Sequence, residues 1–249
     1  MTERMIEEIV DSYLQKWIDA GLNMQPGEIE KEMAGPKNGD GWTTWYPIHS
    51  QVTDSVIDDF EEQIGYRFPT DYRQFLLYKH FYELNIFAAS FTHAANTWRR
   101  AHVELIFESY PREFMIDKGY LPIASWSDWG MLCFDTNTGD GSTDYPVVLW
   151  DHESARKVTP FYKNFTNLLR GLDQKQQDKE RELDTSNPDP ITHTQGFLRI
   201  FRKPTSLVGQ YLLEWRQTAS KSMRRCHILI KIRSMSLPAL HSDEANAFF

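Results

Sequence analysis

Three parts of the sequence bring together side chains able to do chemistry. Asp151-His152-Glu153 sets an imidazole between carboxylates, the residue types of a general base with an orienting acid. Neighbours on a strand point to opposite faces, so the three do not readily converge on one reacting atom. They read better as charges at a strand end, open to a partner. Residues 135–144, DTNTGDGSTD, begin like a calcium loop, with Asp135 and Asn137 at the first and third ligand positions. The pattern then fails, because position five is Gly139, the glycine position is Asp140 and the bidentate glutamate position is Pro146. A polar connection whose Asp and Asn side chains bond their own backbone accounts for the same residues. His80, His93 and His102 lie among aromatics, and no two have the spacing of three or four that places two ligands on one helix face. No metal and no cofactor are expected.

Other catalytic patterns are absent. There is no GxxxxGK[ST], GxGxxG, HExxH or GxSxG, and Ser142 has no nucleophile elbow around it. Cys133 and Cys226 are too few for a disulfide framework or a thiolate metal site, and Cys133 sits in an apolar run as a small core residue. Asp58, Asp59, Glu61 and Glu62 fall together on one helix face, which reads as a solvated surface.

The elements that must position these groups follow from periodicity. Residues 119–153 contain two short apolar runs, 131–134 and 147–150, which predict two strands covered on both faces and joined by the polar loop. Trp126 and Trp129 flank the approach to this unit, either as anchors of a contact surface or as large core residues. Ile6, Ile9, Val10, Tyr13, Leu14, Trp17 and Ile18 share one face of an N-terminal helix that Gly21 ends. The string GWTTWYPI, 41–48, offers either an aromatic cage or a plug for a sheet edge. Thr53 is the expected N-cap of a second helix lined by Val56, Ile57, Phe60 and Ile64 and stopped at Gly65. Pro69-Thr70-Asp71 opens a third helix, and Phe161, Phe165, Leu168, Leu169 and Leu172 line a later one. Residues 82–118 lack a clear period.

Charge divides the chain. Residues 1–195 carry 18 Lys and Arg against 32 Asp and Glu, a balance of −14, while 196–249 carry 9 against 3, a balance of +6. An acidic body repels nucleic acid and favours basic partners; the basic end, with Phe197, Phe201, Tyr211 and Trp215 among its cations, is the one segment suited to phosphates. With no run of about 18 apolar residues and no signal-peptide layout, a cytoplasmic protein with no membrane contact is expected.

The order of the pieces resembles the SUKH superfamily, the Smi/Knr-like group of bacterial immunity proteins and fungal cell-wall regulators. The matching residues are Phe60-Glu61, Gly65, Pro69, Tyr72, Phe75, Pro122-Ile123, Gly130, Cys133-Phe134-Asp135 and 148–153. The resemblance covers roughly 42–172. It implies an α+β fold, a mixed and mostly antiparallel sheet flanked by helices, with no catalytic apparatus. It also implies that bacterial members commonly bind and neutralise a cognate polymorphic toxin, often a nuclease or a deaminase. The expected organisation is an N-terminal helix and loop (1–41) packing on the body, a SUKH-like domain (42–172), a charged linker (173–195) and a basic C-terminal extension (196–249). The expected activity is non-enzymatic binding of a protein toxin, with a regulatory scaffold of the cell-wall type as the alternative. Trp126, Asp128, Trp129, Asp151, His152 and Glu153 form the expected contact region. No motif names the partner or an oligomeric state.

Overall fold

The computed structural model describes residues 2–39, 41–138, 144–153 and 157–185. The middle of the 135–144 loop, the latter part of the expected linker and the whole basic extension, including the strand expected near 226–237, lie outside the described residues.

Helix α1 (Thr2–Asp19) buries Ile6, Ile9, Val10, Tyr13 and Leu14, the stripe its 3.6-residue period predicts. A small sheet follows in the order β1 (Met24–Pro26), β3 (Trp42–Trp45), β2 (Ala34–Lys37). In the string GWTTWYPI, Trp45 is buried against Tyr82 with ring centroids 6.0 Å apart, so it plugs the core and forms no cage. After β4 (Ile48–His49) come α2 (Asp54–Ile64) and α3 (Thr70–Tyr78). Thr53 occupies the N-cap position of α2 with extended backbone, yet its hydroxyl meets Ser55 Oγ at 3.0 Å and makes no cap hydrogen bond. Gly65 ends α2 at φ 76°, where any Cβ would be strained, and its N–H donates to Glu61 O.

Among the described residues the main sheet has seven strands in the order β10-β9-β8-β7-β6-β5-β4, and each pairing is antiparallel. They are β5 (Lys79–Ile86), β6 (Ala89–His93), β7 (Tyr120–Trp126), β8 (Gly130–Asp135), β9 (Val147–Asp151) and β10 (Lys157–Tyr162). The two expected strands are β8 and β9, and their alternate side chains enter two different cores. Leu132, Phe134 and Val147 join the main core, with Phe134 edge-on to Tyr72 at 5.3 Å. Met131, Cys133, Val148 and Trp150 form a second cluster with Met115, packed by Leu105, Tyr110 and Phe114. That cover comes from the stretch without a clear period. It is a helix α4 (Trp98–Val103) continuing into a π turn at Glu104–Glu108, then 3-10 turns at Arg112–Phe114 and Ile116–Lys118.

Helix α5 (Phe165–Thr185) buries Phe165, Leu168, Leu169 and Leu172 and contacts α1, α3, β5 and β10. It runs on through the start of the charged segment, where Asp173 accepts from Tyr13 Oη at 3.0 Å and Glu180 pairs with Lys16 at 3.1 Å. Gly171 sits inside this helix because a Cβ there would lie 2.2 Å from the Tyr162 ring. The architecture is α+β, a mostly antiparallel sheet flanked by helices.

Candidate functional site

Antiparallel register brings three turns to one end of the sheet. Ala89 pairs with Trp126, Trp126 with Gly130, and Gly130 with Asp151. The β5–β6 turn at Phe87-Ala88, the β7–β8 turn at 127–129 and the exit of β9 at His152-Glu153 therefore stand side by side. Two backbone hydrogen bonds tie them into one rim: Ser127 N–H donates to Ala88 O at 2.8 Å, and His152 N–H donates to Trp129 O at 3.1 Å.

Each expected contact residue lies at this rim, with different exposure. Trp126 is buried at 7 % exposure, its ring edge-on to Phe161 at 5.0 Å and tilted toward Phe87 at 6.0 Å. Trp129 is half-buried against the main core, and Asp128 is exposed. Asp151 is half-buried and accepts the Glu153 N–H at 2.9 Å, which folds the strand end back, while Glu153 is exposed. His152 stacks on Tyr110, with centroids 5.7 Å apart and planes at 25°, and its Nδ1 lies 3.2 Å from the Tyr110 hydroxyl. Burial holds the Tyr110 phenol above its ordinary range, which keeps it protonated and available to that bond.

Phe87, Tyr110, Lys175 and Lys179 also belong to the rim and escaped the sequence reading. Phe87 and Ser127 are the positive-φ non-glycine residues among those described, at 57° and 49°. Phe87 is also an exposed large apolar side chain, at 38 %. The ammonium groups of Lys175 and Lys179 lie 5.8 and 5.7 Å from its ring, and Lys175 is 4.9 Å from Phe161 and 5.9 Å from Tyr162. Phe87 falls in a stretch read as aperiodic. The signal that finds its hairpin is the period-2 alternation of Leu84 and Ile86, then Ala89, Phe91 and His93, which are all buried.

The other chemically capable groups are enclosed elsewhere. His80, His93 and His102, far apart in sequence, meet in the core, with ring centroids 4.6 Å between the first two and 6.1 Å between the last two. A backbone N–H only donates and a carbonyl only accepts, so the partners define the protons. His80 Nε2 accepts from Gln51 N–H at 2.9 Å, leaving Nδ1–H to donate to His93 O at 3.0 Å. His102 Nδ1–H donates to Trp98 O at 2.8 Å, so Nε2 accepts from the Tyr72 hydroxyl at 3.1 Å. His93 Nε2–H donates to Leu76 O at 2.8 Å. All three are neutral, and burial lowers each pKa. Burial also pushes the Cys133 thiol up, which leaves it unreactive.

Glu61 corrects the reading of a uniformly solvated acidic face on α2. It is 2 % exposed, and its carboxylate accepts from Arg67 at 2.9 Å, Arg73 at 3.0 Å and Phe68 N–H at 2.9 Å. Those partners come from the α2–α3 connection and from α3, so the carboxylate clamps the two helices together. Among the described residues, no group of three or more His, Cys, Asp or Glu is placed to hold a metal ion, and no helix is long and apolar enough to cross a membrane.

Compared with known proteins, residues 51–171 match the SMI1 / KNR4 family (SUKH-1). The match runs from the segment before α2 into the first turns of α5, so it contains β5 to β10 and the rim apart from Lys175 and Lys179. No curated protein matches the chain.

Proposed function

Because residues 51–171 belong to the SMI1 / KNR4 family (SUKH-1), we propose that this chain is a non-enzymatic protein-binding module, an immunity protein that neutralises a cognate toxin by covering its active surface. The observation that carries this reading is the rim. It gathers half-buried Trp129, exposed Phe87 and the Tyr110–His152 stack beside the carboxylates of Asp128, Asp151 and Glu153. Aromatic side chains held by neighbours make good interface anchors, and surrounding charges steer encounter and select the partner. The balance of −14 over residues 1–195 suits a basic partner, the usual charge of a toxin directed at nucleic acid.

Affinity capture tests the reading. The tagged full-length chain is used as bait in lysate of the native source, beside a second bait lacking residues 190–249, and bound proteins are identified by mass spectrometry. The expected result is one toxin domain recovered in stoichiometric amount by both baits, whose toxicity in a host cell is suppressed by co-expression of this chain. Recovery of a cell-wall regulatory protein would move the function to a scaffold role. Recovery of nucleic acid by the full-length bait alone would move it to the basic end.

A further inference from the structure

We infer that Phe87 is the anchor of the rim, the side chain that a protein partner receives in an apolar socket bordered by cationic groups where it meets Asp128 and Glu153. This rests on the partner-binding reading above and adds to it a residue and the chemistry of the partner's surface.

The local backbone makes Phe87 an unexpected choice. A φ of 57° is left-handed, a region that glycine enters freely and asparagine tolerates, whereas a bulky side chain there is penalised. The tight β5–β6 turn needs that conformation but has no need of a benzyl group. Packing accounts for the ring only in part, since 38 % of the residue stays exposed. Strain of this kind persists where the surroundings enforce it, and it collects at binding sites. The surroundings here are visible: the adjacent turn is also left-handed at Ser127, and its N–H is fixed to Ala88 O at 2.8 Å.

The ring is also held in place before any partner arrives. Trp126 tilts against it at 6.0 Å, and the ammonium groups of Lys175 and Lys179 lie 5.8 and 5.7 Å from its centroid. An aromatic ring so confined loses little freedom on binding, which is the property of an interface hot spot. The other exposed apolar groups do not share these features. Tyr46, 45 % exposed, lies between β3 and β4 and covers Gly35, and Leu183 lies on α5. Charge sets the socket's border. Exposed Asp128 stands on the neighbouring β7–β8 turn and exposed Glu153 farther along the rim after β9, while the two lysines lie beside Phe87 on α5. The partner surface therefore carries Arg or Lys toward β8–β9 and an acid toward α5.

The test compares full-length wild type with Phe87→Asn, Phe87→Tyr and the distant control Tyr46→Ser. The probe is the protein captured by the wild-type bait, purified and titrated by calorimetry. Phe87→Asn is expected to weaken binding by about 30-fold or more, the range of an interface hot spot, with an unfolding midpoint no lower than that of wild type. Phe87→Tyr is expected to fall between the two, because its hydroxyl enters the apolar socket, and Tyr46→Ser to bind within about threefold of wild type. Unchanged binding by Phe87→Asn would overturn the anchor while leaving the rim as a contact surface. A marked fall in its unfolding midpoint would make Phe87 structural and overturn the anchor as well. A wild-type bait that recovers no stoichiometric protein would overturn the partner-binding reading itself.

Discussion

The interior around Tyr72 and the rim around Phe87 share the same strands and obey opposite rules. In the interior, aromatic rings stack edge-on, with Tyr72 5.3 Å from Phe134 and 5.0 Å from Phe165. Tyr72 is matched to His102, and Glu61 to two arginines and a backbone N–H. At the rim, the backbone enters left-handed conformations at non-glycine residues and an aromatic ring stays exposed. A fold that pairs Tyr72 and Glu61 in one place and tolerates strain in another separates the part that keeps it folded from the part proposed to meet other molecules.

The largest expected effect belongs to the interior. Phe134→Ala removes a fully buried ring from a stacked cluster and is expected to cost about 3–5 kcal/mol, read as a lower denaturant midpoint at unchanged slope. Acid comes next. The folded pKa values of His80, His93 and His102 are lowered by burial, whereas an unfolded histidine titrates near 6.5. Their contribution is complete above about pH 6.5. It is lost as pH falls from there toward the folded values, because the unfolded chain then takes up protons that the folded chain refuses. The limiting slope is about 1.4 kcal/mol per pH unit for each histidine, so about 4 for the three. Facing groups do not reverse the sign: Glu30 opposes the shift at His80, and Tyr72 meets His102 as a protonated phenol. Thermal melts from pH 8 to pH 4.5 check this, and a flat profile through pH 6 to 5 would contradict the neutral cluster.

A smaller loss is expected for Glu61→Ala, about 1–3 kcal/mol. The buried Phe68 N–H loses its acceptor while Arg73 keeps Asp54 and Asp58. Smallest in stability is Trp129→Ala at the rim, about 1 kcal/mol for a half-buried side chain, with partner affinity falling much further than stability. If Trp129→Ala matched Phe134→Ala in stability, the contrast between the two regions would fail there.

The interior was largely legible in the sequence because it is periodic. The stripe Ile57, Phe60 and Ile64 predicts α2, the stripe Phe165, Leu168, Leu169 and Leu172 predicts α5, and the doubly apolar runs at 131–134 and 147–150 predict strands covered on both faces. What stayed hidden depends on partners distant in the chain. Glu61 looks like its solvated neighbours until α3 brings Arg73 against it, and the three histidines look scattered until β5, β6 and α4 converge. The rim was half legible. Residues 126–129 and 151–153 stood out by type, but Phe87 lies in a turn without the Asn-Gly or Gly signal, and the π and 3-10 turns that carry Tyr110 toward His152 break the helical period.

Site-specific crosslinking reads contact at the rim itself. A photo-crosslinking amino acid replaces Trp129, or Tyr46 as the control, in the full-length chain, and each protein is irradiated in lysate of the native source. One covalent adduct, to a single protein, is expected from position 129 and none from position 46. An adduct from position 46 alone, or none from position 129 with a partner captured on the same bait, would contradict the rim as the contact surface.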